Sequence, residues 1–217
     1  MKINALFQTL LVVLITSAPF IYMGMIWQSL PERVPTHFGI DGKPDAFGTK
    51  TSAMIPLAIV MGVGLLVYFL IKNIEKFDPK RAKQVSKDTF DKFAMLMLIF
   101  MSGLSIYIVH STIQSQVDGL LFVLLGLFFA AMGNLMHSIQ PNYFIGLRLP
   151  WTLDNDDNWR KTHQLAGKIW FAGGLVIAGS ALIQSGEFSF FILMGMIIIM
   201  TLIPVVYSYR LYRKMMS

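Results

Sequence analysis

The sequence predicts an all-α fold, a polytopic membrane bundle of about six transmembrane helices with both termini cytoplasmic. Three observations predict it. Hydrophobic residues fill 55% of the 217 positions and charged residues only 14%, against roughly 25% charged in an average soluble domain. The apolar residues gather into six runs near the length a helix needs to cross a hydrocarbon core, about 20 residues. All but three of the 18 basic residues fall in segments that alternate to one side of the membrane, and cytoplasmic loops are the ones that carry excess Lys and Arg.

The first run, Ala5 to Trp27, is longer than the apolar core of a cleaved signal peptide, and no small-residue cleavage site follows it. It reads as a retained helix. The external loop at 30–52 begins LPERVPTHFGIDGKPDAFGTK, where Asp41-Gly42 and Lys43-Pro44 are turn signals. The expectation there is ordered, non-helical chain with a short hairpin. Arg33, Lys43 and Lys50, the three basic residues outside the cytoplasmic set, share this loop with acids, and His37 in it is a candidate ligand contact. The second span, Ala53 to Ile71, leads into a basic cytoplasmic loop at 72–92, read as a solvated extension of its flanking helices with few apolar anchors and as a surface for a cytoplasmic partner.

Spans three and four are expected at Phe93 to Ser111 and Leu120 to His137. A cytoplasmic loop at 139–166 follows, with irregular backbone from Pro141 to Leu153 because Pro150 holds Leu149 extended and blocks simple helix continuation. Tyr143 and Trp151 suit the membrane interface. A helix then starts near Asp154 or Asn155, both good N-caps, with Asp156 and Asp157 in the dipole-favoured first turn. Asp156 with Arg160 and Asp157 with Lys161 are i, i+4 pairs. Trp159, His163, Ala166, Trp170 and Gly173 share one face of that helix, which continues as the fifth span to Gln184. Gly174 and Ala178 suit close helix approach, Lys168 snorkels to the headgroups, and the sixth span covers Phe188 to Tyr209.

The formal charge of +6 reads as topology and contact with anionic membrane lipids rather than nucleic-acid binding. With no cysteine, disulfides and thiolate metal sites are excluded.

The stretch NYFIGLRLPWTL, the Trp159 and His163 after it and the Gly133-Asn134 before it resemble the signature region of the SdpI family. The first loop and Pro56 resemble the small N-terminal membrane domain that often precedes that region. The resemblance divides the chain into an N-terminal membrane domain at 1–92 and an SdpI-like membrane domain at 93–217. It implies a protein of the bacterial cytoplasmic (inner) membrane that gives immunity to a secreted peptide toxin and signals to a cytoplasmic repressor.

Arg148 has two readings, an anchor on lipid phosphate or a fork that fixes the loop. Arg148, Trp151, Asn134, Trp159, His163 and His37 are the candidate binding residues, and no catalytic residue, metal or cofactor is assigned. Two rival functions make different demands on the sequence. A transporter would bury ionisable groups within its spans, and none of Asp, Glu, Lys or Arg lies deep in these. A metal-dependent membrane enzyme would need His137 and His163 to converge with Asp154, Asp156 or Asp157.

Overall fold

The computed structural model describes residues 5–77, 87–142, 144–183 and 186–216. Lys2, Lys80, Arg81, Lys83, Tyr143 and Gln184 lie outside the described residues. Six apolar helices are long enough to span a membrane, namely α1 (Ala5–Ile26), α2 (Met54–Lys72), α4 (Lys87–Gln114), α5 (Gly119–Met136), α7 (Asp156–Ile183) and α8 (Glu187–Met216). The short helices α3 (Ile74–Phe77) and α6 (Pro150–Leu153) lie between them. The six spans are those expected, with helices three, five and six running further beyond the apolar stretch than hydropathy alone indicated.

Between α1 and α2 the chain forms an antiparallel hairpin, β1 (Arg33–Phe38) with β2 (Pro44–Thr49), followed by a 3-10 turn at Lys50–Ala53. Its tip is fixed twice: Asp41 Oδ1 accepts from the Lys43 amide at 3.0 Å, and Val117 N–H donates to the Gly42 carbonyl at 2.9 Å. The second bond docks the hairpin on the α4–α5 connection. Val34 turns its side chain under the hairpin into a core with Met23, Leu30, Leu57, Met61 and Leu98, so the hairpin is seated on the bundle rather than standing free of it. For Leu30 and Val34, which lie outside the spanning helices, burial stabilises by about 1.5–3 kcal/mol each, because the alternative there is water.

A second core joins α5, α7 and α8 through Phe122, Ile177, Leu193 and Met200. The stacked rings of Phe100 and Phe128, 3.9 Å apart, connect α4 to α5. The hairpin and the signature loop sit at opposite ends of the bundle, because α5 runs from one to the other. The bundle therefore has a hairpin end and a loop end.

The charged 72–92 segment differs from expectation. Ile74 and Phe90 bury each other at 3% exposure and draw in Ile71 and Ile145, and Lys72 pairs with Asp91 at 2.7 Å. The described parts of this segment are therefore anchored to the bundle and to the signature loop. Dense charge hid two apolar positions that only the tertiary fold brings together.

Candidate functional site

The signature loop is built from hydrogen bonds that polar side chains donate to and accept from its own backbone. Asn142, at 1% exposure, organises the first half. Its amide nitrogen donates to the carbonyls of Gln140 (2.8 Å) and Ile145 (3.1 Å), and its oxygen accepts from the amides of Phe144 (2.8 Å) and Ile145 (2.7 Å). A primary amide has two donors and two lone pairs, so Asn142 is fully used inside the turn. Asn142→Ala should cost about 1–3 kcal/mol through the Ile145 N–H left without a partner. A lowered thermal midpoint in detergent, with faster amide exchange confined to the loop, is the expected result.

Thr152, fully buried, organises the second half. Its hydroxyl accepts from the Leu149 amide at 3.0 Å and reaches the Leu147 carbonyl at 2.7 Å. This corrects the expectation of irregular backbone through Leu153. Leu149 is extended, as Pro150 requires, yet Pro150 then opens the one-turn helix α6. Proline is well tolerated at a first helical position, where its missing N–H is no loss.

α7 begins as expected. Asn155 Oδ1 accepts from the Asn158 amide at 2.8 Å, capping a helix whose first turn holds Asp156 and Asp157. The ion pairs are partly reassigned. Asp157 takes both Arg160 (2.7 Å, i, i+3) and Lys161 (2.6 Å, i, i+4), so Asp156 is not the partner of Arg160. One carboxylate with two oxygens serves two cations, and the acid cluster has a structural role in the helix start.

Of the sequence-predicted residues, the structure brings Trp159 and His163 together under the loop. Their rings stack at 4.0 Å, and both are only 1% exposed. Trp159 Nε1 donates to the Ile139 carbonyl at 2.8 Å. His163 Nε2 lies 2.9 Å from the Leu147 amide, which can only donate, so this nitrogen carries the lone pair. Nδ1 then holds the proton and donates to the Trp159 carbonyl at 2.8 Å. Both ring nitrogens are committed to backbone, which withdraws His163 from any metal set. Among the described residues no group of three or more His, Asp and Glu is placed to hold a metal. Gly146 packs directly on this pair, at φ +118°.

Trp151 clasps the loop to α8. Its Nε1 donates to Ser208 Oγ at 3.0 Å, and its ring lies 5.3 Å from Tyr209 and 6.1 Å from Tyr212. Buried Asn158 reinforces the clasp by donating to the Ser208 carbonyl at 3.0 Å. Arg148 lies on the exposed side of the same loop. Asn134 is exposed on α5, apart from the Trp159–His163 stack, in a groove with His137, Gln164 and Lys168. His37 is at the far end of the molecule, where its Nδ1 lies 2.6 Å from Asp45 Oδ1.

Sequence reasoning missed Asn142, Thr152, Asn158 and Ser208 as organisers. An Asn in a loop of apolar residues is the one local signal available, since Asn mimics a turn through its side chain. Ser208 carried no such signal.

At the hairpin end, a groove of about 680 Å³ opens beneath β1, between α2 and α4. Pro35, His37, Ile55, Ile59, Tyr107 and Ile108 are among the residues that line it. Its walls are mainly apolar, with Thr36, His37, Ser52, Ser111 and Thr112 as polar groups among them, which suits an amphipathic occupant.

Residues 138–208 match the model of the SdpI/YfhL protein family, and residues 14–62 match that of a domain of unknown function, DUF1648. The chain is 25% identical over 210 residues to the Immunity protein SdpI of Bacillus subtilis (strain 168), covering 96% of this chain and 97% of the relative. It is also 27% identical over 129 residues to an uncharacterized protein of Archaeoglobus fulgidus, covering 49% of this chain and 70% of that one. No solved structure matches. The match to the first relative runs nearly end to end, so it takes in the hairpin, the groove and the signature loop alike.

Proposed function

The chain carries the SdpI/YfhL family region within a multi-pass inner-membrane protein, and from that premise we propose that it is a non-enzymatic immunity protein acting against a secreted antimicrobial peptide. The hairpin end faces outward and meets the peptide. The loop end and both termini face the cytoplasm, where the loop meets lipid or a soluble repressor. The observation that carries this reading is the groove beneath β1, an apolar cleft of about 680 Å³ at the end opposite the signature loop. The similarity over 96% of the chain to a protein named for immunity supports it. So does the charge distribution, since Lys72, Arg160, Lys161, Lys168, Arg210 and Arg213 all lie toward the loop end.

A ligand at one end alters a surface at the other only by binding one helix arrangement better than another. Ile145 offers a route, because it packs both with Trp159 and with Ile74 and Phe90 at the base of the α2–α4 connection. Occupancy between α2 and α4 would thus bear on the loop.

The test is survival of a sensitive bacterium challenged with the sporulation-delaying peptide while expressing the chain, Ile59→Trp or Arg148→Ala at matched membrane levels. Ile59 is exposed along α2 and lines the groove, so tryptophan fills the cleft without entering the core. Protection by the parent chain, falling to the empty-vector level in Ile59→Trp, is expected. No protection by the parent chain overturns immunity to this peptide, and full protection by Ile59→Trp overturns the groove as its site. Protection lost in Arg148→Ala ties the loop to the same process, whereas protection retained confines Arg148 to anchoring.

A further inference from the structure

At the loop end, α5 and α7 come into backbone contact. A β-carbon on Gly167 would stand 2.8 Å from the Gly133 carbonyl oxygen and 3.6 Å from the His137 amide nitrogen. Two facing glycines leave a notch floored by bare backbone. Over it lies a groove of about 410 Å³ lined by Asn134, His137, Gln164, Lys168 and Phe171 together with these glycines.

The lining has a definite order. Phe171 and, one turn further along α7, Leu175 are exposed apolar residues that face hydrocarbon, at 45% and 47% exposure. Lys168, Asn134, His137 and Gln164 stand nearer the loop and carry every polar side chain of the groove. Its depth can be read from α5. That helix has 18 residues, from Gly119 to Met136, and at 1.5 Å per residue it reaches about 27 Å, close to the hydrocarbon thickness. Its last turn therefore marks the hydrocarbon edge, and Asn134 belongs to that turn. The Gly133–Gly167 contact places Lys168 at the same level.

Charge discriminates between the basic residues of α7. Arg160 and Lys161 both have Asp157 as an ion-pair partner. Lys168 lies eleven residues beyond Asp157 in the sequence, roughly 16 Å along the helix, and the groove it faces contains no acid. A cation, two amides and an imidazole thus converge at phosphate depth, next to an apolar channel.

We propose that this groove binds one anionic phospholipid of the adjoining leaflet. Its phosphodiester sits against Lys168, Asn134, His137 and Gln164, and an acyl chain runs along Phe171 and Leu175. The apolar exit selects a lipid over a free phosphate, because a free ion would have no use for the Phe171 side. The inference stands apart from the immunity reading and does not depend on its outcome.

The test is native mass spectrometry of the full chain in nonionic detergent, titrated with phosphatidylglycerol, with phosphatidylcholine and inorganic phosphate as parallel arms. One saturable phosphatidylglycerol is expected. Lys168→Ala should weaken it roughly tenfold, the scale of a lost hydrogen bond to a charged group. Gln164→Leu should weaken it less, and Lys161→Ala, an equal loss of charge on the same helix outside the groove, should leave it unchanged. All three positions are exposed on α7, so the variants keep the packed face. Unchanged binding in Lys168→Ala, an equal loss in Lys161→Ala, equal affinity for phosphatidylcholine, or full competition by millimolar inorganic phosphate would each overturn the proposal.

Discussion

Gly146→Ala is expected to collapse the signature loop. Two independent penalties fall on this single position. At φ +118° any side chain is strained, which by itself costs about 1–3 kcal/mol. A β-carbon there would also lie under 3.0 Å from His163 Nε2 and 3.1 Å from Trp159 Cζ2. His163 cannot yield cheaply, because Nε2 accepts from the Leu147 amide and Nδ1 donates to the Trp159 carbonyl. Moving the ring breaks both bonds and unstacks it from Trp159, which in turn holds the Ile139 carbonyl. The expected result is a thermal midpoint lowered well beyond that of Asn142→Ala, with amide exchange at Leu147 and along the 139–153 backbone approaching the rate of an open chain. Gly179→Ala is the matched control, since a β-carbon there meets nothing within 4 Å and alanine favours a helix interior by roughly 0.5–1 kcal/mol over glycine. If Gly146→Ala leaves exchange in the loop unchanged, the buried stack is not what holds the loop in shape.

What could be read from the chain, and what could not, divides by the distance over which an interaction acts. The six spans, the hairpin at Asp41-Gly42, the Asn155 cap and the inward face of Trp159, His163 and Ala166 follow from local periodicity and turn chemistry. The partners of those residues do not. Trp151 and Ser208 are 57 residues apart in sequence, and Asn158 lies 50 residues from the Ser208 carbonyl it binds. No pattern within either segment names the other. The candidate residues also divide by burial. Trp159 and His163 have the residue types of a binding surface, and both are buried beneath the loop, while Arg148 is exposed on it and Trp151 is held against α8. Asn134 proved to face a different groove altogether. A polar or aromatic side chain in a membrane protein has the same sequence signature whether it satisfies a buried backbone or awaits a ligand, and only its neighbours decide between them.

Gly174→Val is expected to separate α5 from α7 and to undo the C-terminal bundle. These helices meet along Gly126 and Ala130 on one side and Gly174 and Ala178 on the other. A β-carbon at Gly174 would fall under 3.0 Å from the Ala130 amide nitrogen and the Gly126 carbonyl oxygen, and both atoms belong to helix backbone that cannot rotate aside. In a bilayer, apolar side chains gain little by leaving lipid, so association relies on van der Waals contact at close approach. Overpacking a core costs typically 1–3 kcal/mol when neighbours can shift; here the neighbour is backbone, so the whole seam must widen and the contacts along it are lost together. Because the chain contains no cysteine, cysteines placed at exposed Leu127 and Leu182 would carry spin labels without background. A lengthened label distance in Gly174→Val, with a lowered thermal midpoint, is the expected outcome. An unchanged distance would show that the seam tolerates bulk and that small residues are not what sets the α5–α7 spacing. The same widening would also open the Gly133–Gly167 notch at the loop end, so phosphatidylglycerol binding should weaken in this variant even though Lys168 is intact. Loss of lipid binding with the charge still in place would separate the shape of the groove from its charge.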